Sequence, residues 1–349
     1  MVEKFSQSFW FSNVFELRLL CTAFYRVLAN PSTPQSVMLA VNNGDGFDPR
    51  SLVKPSLIRL PPEVLFKIVG GLSTSGLLAL MRTSKRCRLF ARMEMMEYIY
   101  KKLSGSIPNV MEFLDTMRRY EVVISGSFVL NIIDRGAYWN PSDIDMYVPY
   151  DAWYPFILAM EEIHNSVAVA PDTESAMPEY LFAARSIDKV LRVVIGSVSF
   201  DFVRSASGCA TTPIASFLTT LVMNYISADG LCIAYPSTLK NTGVLTRTSL
   251  TDGENVAVTK YLGRGYDIFE SQSVLYASQP SLAHSASLCG ETERTFVDKY
   301  CIIMPFGLNK LEDGPISHTN TVWRLGGYGC DGEHEDFAET RVWEISGAV

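Results

Sequence analysis

The sequence predicts an α+β chain in which short helices come first and a mixed β-sheet with helices packed on it follows. Three stretches carry that prediction. Apolar residues recur at helical spacing over residues 58–100. Over residues 122–148, VVISGSFVLNIIDRGAYWNPSDIDMYV, an apolar strand meets Gly126-Ser127, an apolar helix follows, and Asp143-Ile144-Asp145 enters a second strand. Runs at 190–195 and 198–203 flank Gly196-Ser197, which reads as a two-residue hairpin turn. With 349 residues there is room for two domains, or for one large domain with an appendage. The expected division is an N-terminal helix and linker over 1–57, a helical motif over 58–104, and a sheet-containing domain with a β-rich extension over 105–349.

Composition narrows the function classes. Hydrophobic residues at 48% against 19% charged describe an ordinary globular chain rather than a disordered one. A net charge of −7 argues against a protein whose main task is to coat nucleic acid. The seven cysteines are odd in number and form no CxxC pair, which fits small core residues in a reducing compartment better than disulfides or a zinc site. Glu16, Arg18 and Arg26 interrupt every apolar run near the start, so neither a signal peptide nor a membrane span is expected. The protein is placed inside the cell, cytoplasmic or nuclear, without a membrane partner.

Residues 9–29 read as a helix, because Trp10, Val14, Leu17, Cys21, Phe24 and Leu28 repeat at three and four before Asn30-Pro31. Residues 31–55 collect Asn, Gly, Asp, Ser and Pro and read as a linker. Pro61 and Pro62 then open a helix that places Val64, Leu65, Ile68 and Leu72 on one side. A second helix carries Leu77, Leu78, Leu80 and Met81, and a third begins after Thr83-Ser84 with Leu89, Phe90 and Met93. The basic set Arg82, Lys85, Arg86, Arg88 and Arg92 lacks interleaved aromatics and reads as a solvated helix face, or as the Ser-Lys-Arg segment of the helical motif itself, rather than as a nucleic-acid site.

The ordered combination LPPEVLFKIVGGL and LLALMRTSKRCRLFA resembles the F-box, over residues 58 to about 100. The resemblance implies docking on the Skp-type adaptor subunit of a cullin-RING ubiquitin ligase, with Leu60, Pro61, Ile68 and Leu72 as contacts and a ubiquitination target the sequence does not name. Taken without the resemblance, the same apolar residues read as an internal helical core.

Pro108 starts a helix with Val110, Phe113, Leu114 and Met117 on one side and Arg118-Arg119 at its end, where cations favour the helix dipole. After Pro149 a helix capped by Asp151 carries Trp153, Phe156, Ile157 and Met160. On the 198–203 strand, Asp201 shares a face with Ser199 and Val203, either as an exposed edge residue or in a site. Thr212-Pro213 opens what reads as the main core helix, with Ile214, Phe217, Leu218, Leu221, Val222 and Tyr225 inside and Gly230 closing it. LCIAYP is a short strand, CIIMPFG an apolar segment and TVWRL an alternating one. The segment 260–266, KYLGRGY, is a turn with too few glycines for a phosphate loop, and the acidic residues around His334 are assigned no metal.

Asp143 and Asp145, two apart on a strand, point to one face, an arrangement a divalent cation stabilises. Gly126-Ser127 sits where a strand becomes a helix, so backbone N–H groups there can meet a phosphate. Gly-Ser, a helix, Asp-x-Asp on a strand and a third Asp on a later strand resembles the nucleotidyltransferase fold of polymerase-beta type. That resemblance implies phosphate binding at Gly126 and Ser127, magnesium at Asp143 and Asp145, and Asp201 as the catalytic third carboxylate. Its cofactors are magnesium and a nucleoside triphosphate for an active or sensing site, and none if the domain serves only as a docking body. Residues 128–142 separate Ser127 from Asp143, more than that family usually has, so RGAYWNPS must bulge before the metal strand, and no acceptor site is legible further on. Together with the segments TPIASFLTTLVMNYI, AYPSTL and KYLGRGYDI, the stretch also resembles a group of uncharacterised fungal proteins over residues 105–345. The function expected is an F-box-type adaptor presenting a nucleotidyltransferase-like domain for substrate recruitment. A magnesium-dependent nucleotidyltransferase or nucleotide sensor is the alternative.

Overall fold

The computed structural model describes residues 60–164, 168–169, 185–279, 286–306, 320–327 and 338–345. The helix and linker expected before residue 56 and the acidic run around His334 lie outside them. The described residues form a mixed α+β chain with helices first. They fall into two compact units, one of residues 60–72 and 79–94, the other of residues 73–78 and those from 95 onward. None of the helices among the described residues is long and apolar enough to cross a membrane.

Three helices open the described chain: α1 (Pro62–Gly70), α2 (Thr74–Met81) and α3 (Lys85–Ser104). Proline at the first position of α1 costs no hydrogen bond, because that N–H has no partner inside the helix. Leu65 and Val69 are fully buried, whereas Val64 and Ile68 stay exposed at 42% and 38%. The expectation that Val64, Leu65, Ile68 and Leu72 share one side is therefore corrected. Successive residues lie about 100° apart around a helix, so the two i,i+4 pairs form two faces, one inward and one outward. The basic residues do more than face solvent. Arg86 Nη2 donates to the Leu60 carbonyl at 3.0 Å, and its guanidinium lies 5.7 Å from the Phe90 ring, which meets Phe66 edge-on. Arg88 Nε donates to the Met81 carbonyl at 3.2 Å, and Arg92 is buried.

In the second unit, α4 (Val110–Arg119) is capped by the Asn109 side chain and buries Val110, Phe113, Leu114 and Met117, as the periodicity predicts. The chain then enters β1 (Val123–Ser125), α5 (Gly126–Ile133) and β2 (Asp143–Val148). A 3-10 turn, Tyr150–Ala152, precedes α6 (Trp153–His164), so Asp151 lies within that turn rather than capping the helix. Next come β3 (Ala168–Val169) and the hairpin of β4 (Ile187–Ile195) and β5 (Val198–Ser205), whose turn glycine, Gly196, has φ 62°. Single-turn α7 (Thr212–Ala215) leads to β6 (Asn224–Ile226), β7 (Gly230–Ile233) and β8 (Thr242–Val244). The remainder is α8 (Asp252–Gly263), β9 (Asp267–Phe269), α9 (Gln272–Ser278), β10 (Arg294–Thr295), β11 (Ile302–Pro305), β12 (Thr321–Arg324) and β13 (Arg341–Glu344).

An eight-stranded sheet runs β11-β7-β6-β1-β2-β5-β4-β3. β2 and β5 pair in parallel, and the other neighbours are antiparallel. The parallel pair needs a crossover connection, and α6 lies in it. Asp201 is thus on an inner strand and fully buried, not at an exposed edge.

The long helix expected from Thr212 does not form. After α7 the chain makes a 3-10 turn at Thr220–Val222 and then strand β6, while LCIAYP, expected as a strand, is strand β7 only as far as Ile233 and leads into a second 3-10 turn at Pro236–Lys240. The hydroxyl residues account for the break by taking backbone groups a helix would use. Thr246 Oγ1 donates to the Phe217 carbonyl at 2.6 Å, the Thr246 N–H donates to Leu218 O, and Thr220 Oγ1 accepts from the Val244 N–H. A run buried on every side carries no period that separates helix from strand.

Candidate functional site

The parallel pairing of β2 and β5 fixes a row of side chains across the sheet. Ser125 faces Asp145, Asp145 lies beside Asp201, and Asp201 faces Arg192 on β4. Partners in register point to the same face. Two residues back on the same face, Asp143 lies beside Ser199.

A cavity of about 450 Å³ opens over this face. Its floor carries Asp143, Asp145, Ser199 and Arg192, with Gly126 and Ser127 at one side. Phe217, Leu218 and Val222 form an apolar wall, and α8 supplies another with Val256, Ala257, Lys260 and Tyr261. Helix α8 is pinned at its start by a capping box between Thr251 and Glu254, and Glu254 pairs with Arg247 at 2.6 Å in a buried contact.

Gly126 has φ 69°, and a Cβ there would overlap Asp145 Oδ2. Only glycine allows both the left-handed backbone and so close an approach of the carboxylate. Ser125, the residue before α5, gives no side-chain bond to the helix's first turn, because its hydroxyl donates to Asn224 O at 2.5 Å.

Asp201 is fully buried, and both its oxygens are taken by one guanidinium: Arg192 Nε to Oδ1 at 2.7 Å and Nη2 to Oδ2 at 2.6 Å. Arg192 lines the cavity, whereas Asp201 does not. Among the described residues, no group of three or more His, Cys, Asp or Glu side chains is arranged to hold a metal ion. Magnesium is commonly bound through one or two carboxylates with substrate phosphates completing its shell. Asp143 and Asp145 are two carboxylates on the cavity surface, the number such an ion uses, and Asp201 is not among the lining residues. Burial first, and then the charge of Asp145, push the hydroxyl of Tyr147 and that of Tyr261 well above the ordinary tyrosine range.

In the stretch RGAYWNPS, Gly136, Tyr138, Asn140 and Ser142 are exposed, and Trp139 anchors it. Trp139 is buried beneath the Arg264 guanidinium, 3.9 Å from its ring centroid, and meets Tyr266 edge-on. Asn131 Nδ2 donates to Trp139 O at 2.6 Å, and Tyr138 donates its hydroxyl proton to Gly263 O at 2.8 Å. Trp139 and Tyr138 thus tie the insertion to the 260–266 segment.

Sequence reasoning missed Arg192, Lys260, Tyr147 and Tyr261 as cavity residues. The hairpin turn held the signal for Arg192, since three residues back from Ile195 and three forward from Val198 are Arg192 and Asp201.

A second surface lies on α1. Ile68 is exposed, Pro61 is exposed, and Leu60 and Leu72 are half-buried, beside the buried Leu65 and Val69. Residues 57–96 match the F-box domain. F-box domains generally bind Skp-type subunits, and the F-box gives this chain an adaptor role in ubiquitin ligation in general terms. All four contacts expected for the F-box retain accessible surface, and Val64 extends the outward stripe. Among solved structures, one described as a tRNA-processing enzyme (apo form I) is similar at 17% identity over 48% of this chain and 45% of that one. The present chain therefore matches less than half of that protein's length, and the TM-score of 0.32 is too low to bear on function. No curated protein matches the chain, and the resemblance to fungal proteins gains no support.

Proposed function

We propose that the chain is an F-box-type adaptor that docks on a Skp-type subunit of a cullin-RING ubiquitin ligase through Leu60, Pro61, Ile68 and Leu72, and that its nucleotidyltransferase-like domain, residues 105–349, recruits the ubiquitination target. The observation that supports this reading is the F-box match over residues 57–96, whose first helix turns Val64 and Ile68 outward while Leu65 and Val69 form its core. Exposed aliphatic side chains in an i,i+4 pair are the anchors of helix-in-groove recognition. Co-expression of the full chain with a Skp-type subunit tests it. Capture by the wild type and loss in Ile68→Asp, with unchanged circular dichroism, is the expected result; a wild type that captures no Skp-type subunit overturns it.

A second reading, favoured by one specific observation, is a nucleotide site at the cavity: Asp143 and Asp145 share it with Gly126 and Ser127, and Lys260 stands on its wall. The carboxylate pair would hold magnesium, which supplies charge neutralisation for the phosphates of a nucleoside triphosphate, and the start of α5 would meet those phosphates. Isothermal titration with each of the four nucleoside triphosphates and magnesium is the test. Binding weakened in Asp145→Asn supports the reading, and no binding by any of the four sinks it.

A further inference from the structure

We infer that Arg192 holds Asp201 out of metal coordination, so that the cavity takes a nucleoside triphosphate with a single divalent cation and does not assemble a two-metal transfer centre. The inference rests on the nucleotide reading of the cavity and decides between its two forms, a transferase and a binding-only sensor.

Three observations carry it. Asp201 sits beside Asp145 in register, the place from which a third carboxylate would complete a metal set. Its two oxygens instead receive the Arg192 fork at 2.7 and 2.6 Å, the planar bidentate geometry in which guanidinium and carboxylate match. The cavity surface displays the guanidinium and not the carboxylate. For Asp201 to reach a cation, both of these charge-assisted hydrogen bonds must break and the Arg192 guanidinium must be displaced, so the strand pairing opposes that step. A second dication arriving there would also face a fixed positive group at close range, and that repulsion is stronger away from bulk water.

The pair is built into the strand pairing. Arg192 faces Asp201 because the two-residue turn at Gly196-Ser197 sets the hairpin register. The remaining cavity groups are those of a binding site: two carboxylates for one cation, the start of α5 for phosphate, Lys260 on α8, and apolar walls from Phe217, Leu218 and Val256. Occupancy could then be read by whatever the domain contacts, with no bond made or broken.

Counting bound Mn²⁺, as a stand-in for magnesium, by electron paramagnetic resonance tests this on the full chain. The probes are the α,β-methylene analogues of the four nucleoside triphosphates. Wild type is expected to bind one ion per chain with its preferred analogue, and Asp145→Asn to weaken that ion by about tenfold or more, the usual scale for losing a coordination partner. Arg192→Ala is expected to admit a second ion. Two ions in the wild type overturn the inference and leave the nucleotide reading standing, as does a folded Arg192→Ala that still takes one. Absence of binding by every analogue overturns both. Should Arg192→Ala fail to fold, the wild-type count decides alone.

Discussion

Replacing Arg192 by leucine takes from the buried Asp201 carboxylate the guanidinium that binds both its oxygens. Two charge-assisted hydrogen bonds, at 2.7 and 2.6 Å, disappear together, and Asp201 is 0% exposed while Arg192 is 29% exposed. Removing one member of a buried pair costs about 3–5 kcal/mol. Water reaches the outer part of Arg192, so the lower end applies, about 3 kcal/mol after allowance for solvent screening. Urea unfolding followed by tryptophan fluorescence measures the loss. The double variant Arg192→Leu with Asp201→Leu removes both charges and fills the space with apolar groups, so it is expected to be more stable than Arg192→Leu alone. A loss below about 1 kcal/mol, the scale of a surface pair, would refute the reasoning, as would a double variant no better than the single one.

Three further outcomes are expected. Gly126→Ala places a methyl group against Asp145 in a left-handed backbone and is expected to cost about 1–3 kcal/mol and to weaken magnesium-nucleotide binding, measurable by thermal melting and titration calorimetry. Trp139→Ala removes the ring that Arg264 and Tyr266 pack on and is expected to cost about 3–5 kcal/mol in urea unfolding. Burial raises the Asp298 carboxyl pKa, but its hydrogen bonds with Arg294 and that residue's charge outweigh burial and hold it below the ordinary aspartate value. A depressed folded-state value means its stabilisation is complete at neutral pH and fades as pH falls below about 4. Asp298→Asn is thus expected to be less stable than wild type at pH 7, and the gap should narrow under acid, as seen in melting curves across pH.

Much of the fold was legible because periodicity and punctuation agreed. The strand, Gly-Ser turn, helix and second strand at 123–148 appear where alternation and the glycine placed them, as does the hairpin around Gly196. The segment from Thr212 was misread because Phe217, Leu221 and Tyr225 are buried together with the threonines between them, and no polar face remained to reveal the period. What broke the helix was long-range, since the carbonyls of Phe217 and Leu218 bond to Thr246.

The candidate site was legible in part for the same reason. Asp143 and Asp145 shared a strand, so their common face followed from the pleat. Lys260 and Tyr261 stand on a helix whose approach to the sheet depends on the Arg247–Glu254 pair, which no local pattern encodes. On α1 the periodicity merged two faces into one. Val64 and Leu65 are adjacent and both aliphatic, and only packing separates the outward Val64–Ile68 pair from the inward Leu65–Val69 pair.

The most direct measurement of the adaptor account is titration of the purified full chain against a purified Skp-type subunit, with wild type, Val64→Asp with Ile68→Asp, and Val256→Asp on the exposed side of α8 compared at equal folded fraction. Saturable one-to-one binding by wild type and Val256→Asp, abolished in the Val64→Asp with Ile68→Asp variant, is the expected result. Absence of wild-type binding, or equal binding by all three proteins, would contradict the account.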